Sequence, residues 1–295
     1  MTGAFGNVDV KAVPRVYGAG ELGVLSITAP GDAHPRVEYV GGELFIGLDR
    51  ADDGTPVTRG DDEKAARPFP DAVATAIAVA GRIPAPIGGV IRVDDEILAA
   101  SVLFDRPRTA AVPLEGAPVV FAFARDRLLI VGENDEAAMA SALDLAEELY
   151  EAGGPLVSAH PVILAEGAWA PFPWRERFPS LQMRFERVLR LFSVRAYEAQ
   201  TVALRRPDVH IADPKIHVRE DGVTITFAAW PKDTATLLPV VDNVMVADPS
   251  GALSVATMED FLEAAGDAIV RTGLSPARYF VPGEPPRAQG DAAHA

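Results

Sequence analysis

Short apolar runs bounded by turn residues mark the first half of the chain and predict β-strands. Residues 22–28 form a run rich in β-branched side chains that stops before a proline, which is typical of a strand. Residues 37–40 and 44–48 are two further runs, separated by Gly41-Gly42. Because consecutive glycines supply the positive φ angles of a tight turn, these two runs predict a β-hairpin.

Further strands are predicted along the rest of the chain by the same criteria. They lie at residues 117–124 and 128–131, on both sides of Gly167, and at 209–211, 216–218, 223–229 and 240–247. Between them, apolar positions that recur every three or four residues predict helices, each opened by a side chain that can cap it. The predicted helices begin at Asp71, Asp94, Asn134, Ser180 and Thr257 and end near residues 80, 104, 152, 204 and 273.

The longest predicted helix, residues 180–204, carries apolar and basic side chains on opposite faces. The apolar stripe comprises Leu181, Phe185, Val188, Leu189, Phe192 and Ala196. At about 100° per residue, the arginines at 184, 187, 190 and 195 lie on the other face. A helix with this division packs its apolar stripe against a core and turns its charged face away from it.

The order of the elements predicts the fold class. Strand–turn–strand–helix recurs at residues 37–80, 117–151 and 223–271. A hairpin followed by a helix gives antiparallel sheets, whereas a parallel sheet needs a helix between successive strands. The chain is therefore predicted to be an α+β protein with antiparallel sheets.

The length of 295 residues exceeds what one hydrophobic core usually serves, so two domains are predicted. The first is an α+β domain over residues 1–174. The second, over residues 175–281, contains the long arginine-rich helix, a small antiparallel sheet and a closing helix. Residues 282–295 are rich in Pro, Gly, Gln and Ala, which predicts a disordered tail.

Composition narrows the possible functions. The chain has no cysteine, which excludes disulfides, thiolate catalysis and iron–sulfur clusters. Its formal net charge is −15, which opposes binding to nucleic acid or to an anionic membrane. The first residues lack the basic end and apolar run of a signal peptide. We therefore expect a cytoplasmic protein without nucleic acid, membrane, metal or cofactor partners.

Charge is sorted in one stretch of this acidic chain. Eight arginines fall within residues 175–206 against three glutamates, so the stretch carries +5. Aromatic residues with interleaved prolines precede it directly. Because Trp and Arg are enriched at interface hot spots, the stretch predicts a partner-binding surface. Its predicted residues are Trp169, Trp174, Arg184, Arg187, Arg190 and Arg195. The alternative is that these arginines pair with the protein's own acidic surface or are solvated.

Two local patterns resemble functional motifs. Gly18, Gly20 and Gly23 form a G-x-G-x-x-G, but a dinucleotide site needs a strand before it and a helix after it. A strand is predicted after it, and Pro14 weakens a strand before it, so a glycine-rich turn is expected.

His210 and His217 bracket an Asp-Pro pair that could form a hairpin turn, and a metal site there lacks further ligands.

Residues 118–172 resemble the C-terminal part of the YtpQ-like family of uncharacterised bacterial proteins. The shared features are an apolar strand, a turn with Asp126, a second apolar strand, an amphipathic helix, a Gly/Pro break and a strand ending in an aromatic residue and Pro-Phe. Residues 37–58 look like the preceding hairpin of that family, so the resemblance spans 37–172. It implies a bacterial cytosolic α+β protein and assigns no catalytic residue.

These observations favour a non-catalytic interaction protein, such as an adaptor, a regulator or an immunity-type protein. Its protein partner would bind the aromatic and arginine surface. A hydrolase-type enzyme that combines carboxylates with His160, His210 or His217 is the first alternative. A sensor of an anion or another small molecule at the arginine face is the second. No catalytic signature is present, so the sequence predicts no catalytic residue.

Overall fold

The computed structural model describes residues 3–5, 8–10, 12–29, 31–64 and 68–283. By its internal contacts the chain divides into two compact units, residues 1–192 and 193–295. This division falls later than the predicted domain boundary at 174/175. Most of the predicted tail, from residue 284 onward, lies outside the described residues.

The described strands of the first unit form three antiparallel sheets. Their bounds are β1 Gly3–Phe5, β2 Val8–Val10, β3 Ala12–Gly18, β4 Val37–Gly41, β5 Leu44–Arg50, β6 Val90–Val93, β7 Pro118–Ala124, β8 Arg127–Gly132, β9 Val162–Ala165 and β10 Ala168–Pro171. The sheets have the strand orders β1-β2, β3-β5-β4 and β10-β9-β7-β8-β6. The predicted hairpins at 37–48, 117–131 and around Gly167 are confirmed.

Helices of different lengths connect these strands. Their bounds are α1 Ala19–Thr28, α2 Arg59–Asp62, α3 Phe69–Ile77, α4 Glu96–Phe104, α5 Arg106–Ala110, α6 Glu136–Ala152 and α7 Trp174–Arg177. The next helix, α8 (Gln182–Leu204), contains the point at which the chain divides into its two units. The caps of α4 and α6 are Asp95 and Asp135, each one residue later than predicted.

The core of the first unit lies on both faces of β7. Val120 and Ala122 belong to a cluster that also contains side chains of α3 and α4. On the other face, Phe121 lies 6.3 Å from Phe185 of α8, measured between ring centroids. A strand buried on both faces must be apolar at every position, which explains why β7 reads as a continuous apolar run.

The prediction of a strand at residues 22–28 is wrong, because this segment belongs to α1. Leu22 and Gly23 are its buried residues, and the Ser26 hydroxyl donates to the Gly23 carbonyl within the helix. A short apolar run fits a strand or a helix equally well, and the β-branched preference is weak enough for packing to override it.

The second unit contains two four-stranded sheets and one described α-helix in addition to its part of α8. The strands are β11 His210–Ile211, β12 Lys215–Val218, β13 Thr224–Pro231, β14 Thr236–Pro239, β15 Asn243–Ala247, β16 Leu253–Thr257, β17 Val270–Arg271 and β18 Arg278–Val281. The sheet orders are β11-β14-β18-β17 and β12-β13-β15-β16. Helix α9 (Met258–Ala265) begins after the predicted cap Thr257 and ends earlier than predicted. The α+β fold class is confirmed. The prediction that the second domain contains an antiparallel sheet is wrong, because β11 pairs with β14 and β13 with β15 in parallel, so both sheets are mixed.

A single arginine holds the second unit together at its centre. Arg278 on β18 is completely buried, and its five N–H groups all donate hydrogen bonds. The acceptors are Gln200 Oε1, Thr201 Oγ1 and the carbonyls of Tyr197, Ala212 and Leu237, at 2.6–3.3 Å. These acceptors belong to α8, β14 and the residue after β11, so one side chain ties three segments to β18.

Candidate functional site

The two tryptophans of the predicted surface are internal to the first unit. Trp169 is 8% exposed, and its Nε1–H donates to the Leu103 carbonyl at 2.7 Å. Trp174 is 5% exposed and stacks on Phe185 with 4.7 Å between ring centroids. The expectation that these indoles are exposed is wrong, because both rings are buried in the core of the first unit.

The four predicted arginines of α8 each pair with a carboxylate of this chain. The pairs are Arg184–Asp144, Arg187–Glu147, Arg190–Glu186 and Arg195–Glu198, with N–O distances of 2.5–3.5 Å. The structure therefore shows the alternative stated for this face, in which the arginines meet the protein's own acids. A role for them in partner binding stays a prediction, now without exposed tryptophans beside them.

The glycine motif has the local context that the sequence prediction denied it. Strand β3 ends at Gly18 and α1 begins at the next residue, so both objections from context are wrong. The strand, however, lies in an antiparallel sheet, and the Ala19 N–H donates to the Glu43 carbonyl at 2.9 Å. A Cβ on Gly18 would collide with the Val157 carbonyl oxygen. The glycine at 18 therefore permits close approach of the chain's own backbone.

The histidines named for a hydrolase are not brought together with a catalytic set. His210 pairs with β14 and His217 with β13, in different sheets, so the predicted hairpin is wrong. His160 Nε2 lies 3.8 Å from a Glu43 carboxylate oxygen, and the Ser158 hydroxyl donates to that same carboxylate at 3.1 Å. The Ser158 hydroxyl therefore donates to Glu43 and not to the His160 ring, so these residues do not form a Ser–His pair. Within the described ranges, no group of three potential metal ligands occurs.

A buried charged cluster in the first unit was missed by sequence reasoning. Asp49 is 3% exposed and accepts hydrogen bonds from the Tyr17 hydroxyl at 2.5 Å, Arg15 at 3.0 Å and Arg125 at 2.8 Å. Its outer members are Glu21, bonded to Arg15, and Glu96, which lies 2.9 Å from Arg125. We call these six residues the Asp49 network. They come from distant segments, so no local pattern announces them.

Burial and mutual charge set the ionisation of this network. Burial raises the pKa of the Tyr17 hydroxyl, and its bond to Asp49 raises it further. Burial also raises the pKa of the Glu21 carboxyl, although the charge of Arg15 opposes this. For Arg15, burial alone would lower the pKa, but the neighbouring carboxylates outweigh it and raise the pKa. The network therefore keeps Tyr17 protonated as a donor to Asp49.

Two surface depressions adjoin charged residues, one in each unit. A groove of about 390 Å³ in the first unit is lined by Glu96 and Arg125, which pair with each other, and by apolar residues such as Leu149. A cleft of about 530 Å³ in the second unit is lined by Arg205 and Asp213 among others. The groove of the first unit has two acids and two arginines in its lining, whereas the cleft of the second unit has Arg205, Arg206 and His210 against the single acid Asp213.

The sheet β12-β13-β15-β16 of the second unit leaves one face open. Alternate side chains of β13 and β15, including Ala228 and Val244, enter the core cluster beneath the sheet. The other face is mostly apolar, and its residues are partly or fully exposed. They are Ile225, Phe227, Ala229, Met245, Ala247, Leu253 and Val255. Leu253 and Val255 are 65% and 69% exposed. We call this the outer face.

Strand β16 is an edge strand whose backbone groups alternate in direction. Asp248 N–H donates to the Ala252 carbonyl, and Met258 N–H donates to the Asp242 carbonyl, so even-numbered residues bond to β15. In an antiparallel ladder the intervening residues direct their N–H and C=O away from that partner. Leu253 and Val255 therefore present their N–H and C=O to the open side of the sheet. Thr257 presents its N–H there, because its C=O, as that of the N-cap residue, accepts the first bond of α9.

The two edges of this sheet differ in how they are protected. Natural edge strands avoid unwanted pairing with charged side chains, proline or bulges. The β12 edge has Lys215 and His217 and follows Pro214. Strand β16 has the sequence LSVAT and pairs with β15 in regular register, without charge, proline or bulge. Among the described residues, none bonds to the outward backbone groups of β16, so this edge combines free donors and acceptors with exposed apolar side chains.

Comparison of the chain with protein-family models, curated proteins and solved structures finds no match. The resemblance to the YtpQ-like family stays a prediction. In the part of the chain that the structure describes, none of the helices combines the length and apolar character needed to cross a bilayer.

Proposed function

We propose that this chain is a non-catalytic interaction protein that binds another polypeptide along β16. The observation that supports this proposal is the open β16 edge, where uncharged residues expose backbone donors and acceptors in regular order. An extended strand added there would pair with these groups and lengthen the sheet, a common mode of peptide recognition. The contact surface thus moves from the aromatic and arginine stretch to the second unit.

The outer face adds apolar contact area beside this edge. A strand that pairs with β16 would place alternate side chains against Leu253 and Val255, which are both largely exposed. Full burial of one such side chain contributes about 1.5–3 kcal/mol. The backbone bonds would supply pairing and the outer face would supply selectivity for apolar side chains. An adaptor, regulator or immunity-type role fits this mode of binding. The YtpQ-like resemblance adds only that the protein would act in the bacterial cytosol.

A matched pair of proline variants tests the proposal. Val255→Pro removes an N–H that points to the open edge, so its own sheet loses no ladder bond. Val218→Pro is the control, because Arg219 N–H bonds to Val223 and the Val218 N–H therefore points outward at the opposite edge. In affinity capture from a native extract, we expect the Val255→Pro variant to lose a stoichiometric bound chain that the wild type and Val218→Pro retain. Equal capture by all three proteins, each with an unchanged melting temperature, would contradict the proposal.

A further inference from the structure

The β16 edge is complementary to itself. When two identical strands pair in antiparallel fashion, a twofold axis passes through one residue, which then lies opposite its own copy. Val255 is the middle of the three residues with outward backbone groups. With the axis at Val255, its N–H and C=O meet those of the second Val255, and Leu253 lies opposite Thr257. The outward groups of the two strands therefore match without any shift of backbone.

Charge favours this edge for self-association over the rest of the chain. The net charge of −15 makes two copies repel each other in general. Strand β16 has no charged residue, and the nearest acids in sequence are Asp248 before it and Glu259 and Asp260 after it. Because β16 ends at Thr257 and α9 begins at the next residue, the paired stretch is limited to residues 253–257, which contain no carboxylate.

The symmetry of the outward backbone groups and the lack of charge on β16 indicate which polypeptide binds this edge. We propose that a second copy of this chain pairs with β16 in antiparallel register about Val255, which joins the two four-stranded sheets into one continuous sheet. This inference rests on the proposed function, since it names the polypeptide that the edge binds. The two outer faces then lie side by side, so that Leu253 and Val255 of both copies form one apolar surface.

Site-directed cross-linking tests the register, because the wild-type chain contains no cysteine. Hydrogen-bonded residue pairs have Cα atoms about 5.5 Å apart, within reach of a disulfide or a short bis-maleimide. We expect Val255→Cys to cross-link to its own copy in high yield. Leu253→Cys is the matched control, since two residues 253 would lie roughly 13 Å apart along the strands, and we expect its yield to be at least tenfold lower. Equal yields from both variants would overturn the register.

Sedimentation velocity tests the pairing itself. We expect a concentration-dependent dimer for the wild type and for Val218→Pro, and a dissociation constant raised at least tenfold for Val255→Pro. A wild-type protein that stays monomeric at about 100 µM would overturn the inference, because specific homodimers form below that concentration. In that case, capture of a different chain that depends on Val255 would leave the proposed function standing. Loss of both the dimer and Val255-dependent capture would overturn both proposals.

Discussion

Among the side chains that the structure describes, each unit buries one charged residue, and the two units stabilise that charge in opposite ways. In the first unit Asp49 accepts from two guanidinium groups and a tyrosine hydroxyl. In the second unit Arg278 donates to carbonyls, an amide and a hydroxyl, without a carboxylate in direct contact. Asp49 is therefore stabilised mainly by the opposite charges of two arginines, and Arg278 by the dipoles of uncharged hydrogen-bond acceptors.

The pKa shifts of the arginines record this difference. Neighbouring carboxylates raise the pKa of Arg15 in spite of its burial. Burial lowers the pKa of Arg278 to about 10, and Tyr197 and the charge of Asp213 oppose this only in part. Because this pKa still lies well above 7, Arg278 remains charged at neutral pH, although its surroundings do not fully offset the cost of burying the charge. The comparison shows that a buried arginine is stabilised by complete hydrogen bonding even where an ion pair is missing.

The largest expected loss of stability comes from removing Arg278, the charge that is stabilised by uncharged hydrogen-bond acceptors. Arg278→Met leaves five acceptors from three segments without their donor, and we expect the free energy of unfolding of the second unit to fall by about 3 kcal/mol or more. Hydrogen exchange should rise first in β14 and β18, while β7 and β8 stay protected. Arg271→Met, at an exposed position of β17, is the control and should change the free energy by less than about 0.5 kcal/mol. Equal exchange in both variants would contradict the central role of Arg278.

A smaller loss of stability is expected from neutralising Asp49, the charge that is stabilised by the arginines around it. Asp49→Asn keeps the shape and one acceptor oxygen but leaves Arg15 and Arg125 without the carboxylate between them. We expect the free energy of unfolding of the first unit to fall by about 2 kcal/mol, as measured by urea titration. Asp94→Asn, an exposed carboxylate on a neighbouring loop, is the control. A loss larger than that of Arg278→Met would reverse the ranking of the two centres.

The exposed ion pairs of α8 should have the smallest effect. Arg184→Ala and Arg187→Ala each remove one guanidinium that pairs with α6 at the surface. Such pairs contribute less than about 1 kcal/mol each, because water and salt screen them. Thermal unfolding at low and high salt measures this, and the small difference between variants should shrink further at high salt. A loss comparable to that of Asp49→Asn would show that these arginines hold the fold together.

Much of the fold could be predicted because local signals agree with the final packing. The expected turn forms one residue later than predicted, at Gly42 and Glu43, and only Gly42 has a positive φ. Gly153 ends α6, and Thr257 caps α9 with its hydroxyl. The prediction of a strand at residues 22–28 was wrong because a short apolar run has no periodicity that distinguishes a strand from a helix. Strand β16 was missed, although Leu253, Val255 and Thr257 alternate with small residues as an edge strand requires.

The charged centres could not be predicted, since their members are remote in the chain. Asp49 meets Arg125 across 76 residues, and Arg278 meets Gln200 across 78. The high number of arginines within a short stretch of sequence pointed instead to α8. There, each of the four predicted arginines pairs with an acid of this chain. Isolated charges in apolar surroundings, such as Asp49 at the end of a buried strand, are the signal that would have indicated the Asp49 network.

The position of Arg278 near the C-terminal end has a consequence for biosynthesis. During translation, Tyr197, Gln200 and Thr201 are made well before the arginine that binds them. The first unit contains all of its own buried elements upstream and can fold on the ribosome while synthesis continues. The second unit lacks its central side chain until residue 278 has been added, so we expect a chain that ends before residue 278 to fold only in residues 1–192.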